Sequence, residues 1–98
     1  HYLRAKGVAD GALRASGLDY VIVAPGTLLD ERGTGRIEAS EKLGHHGYLP
    51  REDLADCIIE ALRNYNCLGK TIELISGGKK IKDAIAGAVG GAALPPVL

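Results

Sequence analysis

The feature that most constrains the fold is the apolar run from Tyr20 to Ala24, which Pro25-Gly26 ends. The run is rich in β-branched residues and does not alternate with polar ones. A continuous run of this kind is typical of a strand that is covered on both faces, as in a parallel sheet. The sequence therefore predicts a buried strand that leads directly into a tight loop.

Helical and strand patterns alternate along the rest of the chain. The predicted elements, in order, are a helix over 2–16, the strand over 20–24, a short strand over 36–39, a helix over 51–64, a strand over 71–76 and a helix over 79–89. Residues 26–35 and 40–49 are predicted to be loops, and Glu73 favours a place near a sheet edge for the strand that contains it. The alternation predicts an α/β fold with parallel strands and right-handed crossovers.

Two main strands do not make a stable open sheet, so we expect neighbouring strands to come from a missing segment or from another chain. The 98 residues contain no methionine and start at His1, which favours part of a longer protein. We therefore expect the chain to be one part of a single domain, completed by a missing N-terminal half or a second chain, with a homo-oligomer as a further possibility.

Charge and hydropathy exclude several classes of function. Twelve basic and twelve acidic residues give zero net charge, and no basic stripe predicts a nucleic-acid or anionic-membrane partner. No apolar stretch approaches the ~20 residues that cross a bilayer. Cys57 and Cys67 lack a framework-like spacing, which predicts reduced thiols and a cytoplasmic location.

Tyr2 and Lys6 are the first candidate catalytic residues. On a helix, residues four apart leave the same face, so the spacing would bring the ammonium close to the phenol. An ammonium favours the phenolate and would turn a poor acid with a pKa near ~10 into a usable general acid/base. Spacing alone favours the simpler interpretation, an exposed lysine on a helix and a tyrosine packed at its edge.

Other titratable residues give weaker signals. His45 and His46 flank a glycine-bounded bend and are interpreted as a solvated loop, because adjacent histidines do not easily share one metal; no metal site is predicted. Asp53 and Asp56 are explained by helix-start electrostatics and a solvated face. The two cysteines have no evident base partner and are interpreted as structural or incidental.

A family resemblance emerges from the order of these motifs. Tyr2 and Lys6 are followed by Leu13-Arg14-Ala15-Ser16-Gly17-Leu18-Asp19 and the strand into Pro25-Gly26-Thr27-Leu28. Gly33-Thr34-Gly35, Pro50–Ala55 and Gly69–Leu74 then extend the similarity to about residue 86. This order resembles the atypical short-chain dehydrogenase/reductases, which include the NAD(P)-dependent epimerase/dehydratase group and the NmrA-like proteins.

The resemblance implies the C-terminal half of a Rossmann-type doubly wound parallel sheet that binds NAD or NADP. It implies that Tyr2 is the proton donor and acceptor and that Lys6 holds the nicotinamide ribose and tunes Tyr2. It also implies that Pro25, Gly26, Thr27 and Leu28 pass the nicotinamide, with exposed amides available to the carboxamide.

Two departures from the family pattern bear on function. Many relatives have arginine where this chain has Ala24, and the glycine-rich turn that receives the pyrophosphate is absent from residues 1–98. The resemblance therefore predicts that the fragment alone is inactive. It predicts that the intact parent is an oxidoreductase or sugar epimerase/dehydratase-like protein acting on a small carbonyl or alcohol. The alternative is a non-catalytic, NmrA-like redox sensor that holds NAD(P) and contacts a partner protein.

Overall fold

Two helices and seven strands form an α/β fold in a computed structural model of the protein, which describes residues 2–6 and 20–89. The strands are β1 Leu3–Lys6, β2 Tyr20–Pro25, β3 Thr27–Leu29, β4 Arg36–Ser40, β5 Tyr48–Pro50, β6 Thr71–Ser76 and β7 Lys79–Lys80. The helices are α1 Arg51–Arg63 and α2 Ile81–Ala88, and a 3-10 turn spans Tyr65–Cys67. Among these residues, no helix is both long enough and apolar enough to cross a bilayer.

The main sheet has the strand order β1-β2-β6-β4-β7. Its inner pair, β2 and β6, is parallel, with Val23 opposite Ile72, whereas the other three pairings are antiparallel. β3 and β5 form a separate parallel pair. The predicted α/β class is confirmed, and so is the parallel placement of the strand before Pro25-Gly26, although the sheet as a whole is mixed.

The core lies between the sheet and the two helices. Val21 and Val23 of β2 and Ile72 and Leu74 of β6 are fully buried, and α1 packs against β2 while α2 packs against β4. Along β2 the buried residues alternate with half-buried ones. The face of β2 that carries Val21 and Val23 therefore meets the core more completely than the opposite face does.

The prediction of a helix over 2–16 is wrong for residues 3–6, which form β1 at the edge of the sheet. β1 pairs antiparallel with β2, so that Leu3 lies opposite Val23 and Lys6 lies opposite Tyr20. The Arg4 guanidinium stacks 4.3 Å from the Tyr20 ring centroid, a cation–π contact on the same strand pair. Pairing with β2 satisfies backbone groups that a short helical turn would leave open. Residues 7–16 lie outside the described residues.

The strand over 71–76 is central in the sheet, which corrects its predicted place near an edge. Glu73, the polar residue behind that prediction, is only half-buried, and its Oε1 accepts a 2.7 Å hydrogen bond from the Leu43 N–H. A central strand tolerates the carboxylate because this hydrogen bond satisfies it. Two segments predicted to be loops contain strand residues. The segment 26–35 contains β3, and the segment 40–49 contains the first two residues of β5.

Asp53 is 1% exposed, which corrects its predicted place on a solvated face. Its Oδ2 accepts a 3.0 Å hydrogen bond from the Thr34 N–H and its Oδ1 accepts one of 3.0 Å from the Gly35 N–H. Glu52 Oε1 accepts the neighbouring Gly33 N–H at 2.6 Å. The two carboxylates at the start of α1 therefore fasten the 33–35 turn to the helix.

Gly26 makes a close backbone contact with Gly47 at the end of β2. A Cβ on Gly26 would collide with the carbonyl oxygen of Gly47, and a Cβ on Gly47 would lie 2.8 Å from the Ile75 Cβ. Two hydrogen bonds fix the approach: the Gly26 N–H donates to Leu74 O at 2.8 Å and the Thr27 N–H donates to Gly47 O at 3.0 Å. Both positions require glycine because backbone and side-chain atoms occupy the space.

We expect Gly26→Ala to lower the free energy of unfolding by about 1–3 kcal/mol, because the new methyl group forces the Gly47 carbonyl away. Urea denaturation of the wild-type and variant proteins measures the change. Gly78→Ala is the matched control, since a Cβ there meets nothing within 4 Å. Equal stability of the two variants would contradict the assigned contact.

We expect Asp53→Asn to cost about 1–3 kcal/mol of stability, because the amide NH₂ faces a backbone donor and leaves a buried group unsatisfied. Asp56→Asn, an exposed carboxylate on the same helix, is the control and should change stability by less than about 0.5 kcal/mol. Thermal unfolding of both variants checks this. A loss of similar size in the control would show that helix-start charge, and not the fastening of the 33–35 turn, sets the effect.

Candidate functional site

A cavity of about 370 Å³ opens where β2 ends. Pro25 and Gly26 form one wall, the loop 42–47 forms another, and Glu73 and Ile75 of β6 line the floor. In α/β folds, ligands bind beyond the carboxyl ends of the parallel strands. β2 and β6 are parallel and meet here, so the position of this cavity is the one expected of a ligand site.

A second cavity, of about 480 Å³, shares the same bend. It is lined by Tyr2 and Leu3, by residues 25–28 and by Arg51 at the start of α1. Pro25-Gly26 therefore separates two adjoining spaces. The bend places the predicted residues Thr27 and Leu28 in the wall of the second space.

Tyr2 lines both cavities and is 68% exposed. It immediately precedes β1, whose antiparallel register sets the start of β1 beside the end of β2. The structure therefore brings Tyr2 together with the Pro25-Gly26 bend, although it does so through a strand instead of a helix. The catalytic role of Tyr2 stays a prediction.

Lys6 lies at the other end of β1, opposite Tyr20, where β2 begins. A strand rises about 3.3 Å per residue, so four residues separate the Tyr2 and Lys6 backbones by about 13 Å. The predicted contact between the Tyr2 phenol and the Lys6 ammonium required a helix, and the strand conformation of β1 keeps the two residues apart. Lys42 is instead the lysine that lines the first cavity with Tyr2. No sequence spacing connects Tyr2 and Lys42, because only the fold brings them to the lining of one cavity.

The backbone amides of the bend are already engaged, which corrects the expectation that they are exposed to a carboxamide. The Gly26 and Thr27 N–H groups donate to Leu74 and Gly47, and Pro25 has no N–H. The bend presents instead the pyrrolidine ring of Pro25 and the exposed Thr27 side chain. Gly26 is needed for its contact with Gly47, a requirement separate from the predicted approach to a flat ring.

His45 and His46 are exposed on the loop that borders the first cavity, as their glycine-bounded bend predicted. His45 Nε2 lies 3.4 Å from Glu38 Oε1 on the surface. Within residues 2–6 and 20–89, no three His, Cys, Asp or Glu side chains are grouped to hold a metal ion.

The two cysteines are buried, unpaired thiols, and neither lines either of the two cavities. Burial raises the pKa of Cys57 to about 12, with the charges of Asp53 and Asp56 adding to the rise. Burial likewise raises the pKa of Cys67 to about 11. Both thiols are therefore neutral near pH 7 and unsuited to nucleophilic chemistry, in line with the structural interpretation.

These residues fit one side of a nicotinamide nucleotide site. A cavity large enough for a ring, walled by Pro25 and reached by a phenol, suits the nicotinamide end of the cofactor. Residues 1–98 contain no glycine-rich phosphate loop. The phosphate end therefore has no evident holder in this chain.

Comparison with known proteins agrees with this placement. A family described as NAD(P)H-binding matches residues 1–65. The uncharacterized sugar epimerase YhfK of Bacillus subtilis is 38% identical over 84 residues, which are 86% of this chain and 39% of that protein. The chain thus spans about two fifths of the length of this relative.

Solved structures show the same relationship. A Bacillus halodurans protein assigned as an NAD-dependent epimerase/dehydratase superposes with a TM-score of 0.62 at 29% identity, over 66% of this chain and 31% of that one. The oxidoreductase ylbE of Lactococcus lactis superposes with a TM-score of 0.60 at 28% identity, over 69% of this chain and 30% of that one. The sequence match over residues 1–65 and the shared fold establish that the chain belongs to the NAD(P)H-binding family.

Proposed function

We propose that the intact protein is an NAD(P)-dependent oxidoreductase or sugar epimerase/dehydratase-like enzyme acting on a small carbonyl or alcohol. One observation carries the proposal: the Tyr2 side chain borders both cavities at the carboxyl end of β2, beside residues 25–28. The relatives named as sugar epimerase, epimerase/dehydratase and oxidoreductase support the same class of chemistry.

In this proposal the chain supplies the substrate side of the site. Pro25 and Leu28 exclude water from one wall, the loop 42–47 bounds the opposite side, and Tyr2 exchanges a proton with a substrate hydroxyl or carbonyl. The nicotinamide, when bound, supplies hydride transfer. The proposal leaves Lys6 out, because β1 holds it at the opposite end of the strand.

The rest of the site is proposed to come from outside this chain. A glycine-rich turn at a helix start would receive the cofactor phosphates, and it belongs to an N-terminal half or a second chain. The choice between NAD and NADP is set there too. A cytoplasmic location and a homo-oligomer stay predictions, the first supported by the two free, buried thiols.

A specific pair of observations favours a second candidate, a non-catalytic NmrA-like sensor. Ala24 departs from the family pattern that the sequence resembles, in which arginine is common at this position, and Lys6 is not near Tyr2 in the structure. Such a protein would bind the cofactor without turning it over. Its cofactor-dependent partner would be another protein.

We expect Tyr2→Phe in the intact protein to lower turnover about 100-fold or more while NADPH affinity stays within about twofold, because only the proton-transfer group is removed. Turnover is followed as NAD(P)H absorbance over a panel of small carbonyls, alcohols and sugars, and affinity by fluorescence titration. Tyr48→Phe is the matched control: Tyr48 is a similarly exposed tyrosine, 60% accessible, that lines neither cavity.

Three results separate the candidates. Undiminished turnover by Tyr2→Phe would remove Tyr2 from the chemistry. Tight NADPH binding with no turnover of any panel member by the wild-type protein would favour the sensor. Failure of the wild-type protein to bind NADH or NADPH would contradict both candidate functions.

A further inference from the structure

Arg51 is the single charged residue in the lining of the second cavity, within the part of the chain that the structure describes. The other lining residues are neutral, and Tyr2 and Thr27 are the only ones with side-chain hydroxyl groups. A cation in an otherwise neutral lining attracts an anionic part of a ligand that enters the cavity.

The guanidinium is oriented but not saturated. Arg51 Nε donates a 2.8 Å hydrogen bond to Asp30 Oδ1. Among residues 2–6 and 20–89, neither terminal nitrogen of Arg51 has a hydrogen-bond partner. A guanidinium held by Nε keeps paired N–H donors that match the two oxygens of a carboxylate or phosphate.

The carboxylates near Arg51 neutralise the charge of its guanidinium only weakly. Asp30 is 87% exposed and Arg51 is 61% exposed, so their ion pair is weak. Glu52 and Asp53, which follow Arg51 on α1, accept hydrogen bonds from the backbone of residues 33–35. Glu52 and Asp53 also offset the positive start of α1, so the attraction of an anion rests on the Arg51 guanidinium itself.

From this geometry we propose that Arg51 recognises an anionic group of the substrate, a carboxylate or a phosphate, in the cavity beside the Pro25-Gly26 bend. The substrate class is then an acidic or phosphorylated small carbohydrate-like molecule. The inference rests on the proposed function, because it assigns this cavity to the substrate of that site.

The test measures binding to the intact protein by isothermal titration with three probes: glucose 6-phosphate, glucuronate and glucose. We expect at least one anionic probe to bind about tenfold or more tightly than glucose, the gain of a charge-assisted bidentate contact. The probe that gains identifies phosphate or carboxylate as the recognised group. No preference for either anion over glucose would overturn the proposal.

Variants then assign the preference to Arg51. Arg51→Gln should abolish it and Arg51→Lys, which keeps the charge but lacks the planar fork, should retain only part of it. Arg63→Gln, at the far end of α1 and likewise exposed, is the matched control and should keep the full preference. A preference that survives in Arg51→Gln would also overturn the proposal.

The anion titrations are made with and without NADPH, and NADPH is titrated alone in parallel. Loss of NADPH binding or turnover contradicts the proposed function and leaves the anion preference measurable without cofactor. A protein that turns over neutral and anionic substrates equally keeps the proposed function and contradicts the role of Arg51.

Discussion

The backbone contact between Gly26 and Gly47 is the constraint on which the rest of the site depends. Since neither residue has a Cβ, the end of β2 can lie against the loop that leads into β5, and the Thr27 N–H can donate to Gly47 O. This contact turns the chain into β3 and sets β3 beside β5. Both cavities share the resulting bend as a wall, so their positions follow from a contact that only glycine permits.

Much of the fold could be predicted from the sequence, because the local patterns agree with the tertiary contacts. The apolar run of β2 and the amphipathic stripe of α1 each identify an element within a residue or two of its observed bounds. The parallel pairing of β2 and β6 agrees with the continuous apolar run of β2, although full and partial burial alternate along that strand. These elements are determined by side chains within their own segments.

Three features could not be predicted, because each depends on a tertiary contact with a residue remote in sequence. Residues 3–6 have a helical spacing, but pairing with β2 decides their conformation. Glu73 has the polarity of an edge-strand residue, yet a hydrogen bond from Leu43, 30 residues away, satisfies it in the central strand. Asp53 has the position of a solvated helix-start acid, but the turn at 33–35 buries it. In all three cases the deciding partner is remote in sequence.

Candidate site residues differ in how far a sequence can reveal them. Tyr2 and Pro25–Leu28 belong to sequence motifs that indicate a site. Arg51 and Lys42 belong to no such motif, and only the fold brings them to the cavities. The lining residues common to both spaces are Tyr2, Pro25 and Gly26. A ligand whose anionic end meets Arg51 must pass this shared boundary to reach the space between the bend and the loop 42–47. In the proposed site, the Tyr2 phenol at that boundary would lie where the two parts of such a ligand join, and from there it would exchange a proton with the ligand's central hydroxyl or carbonyl.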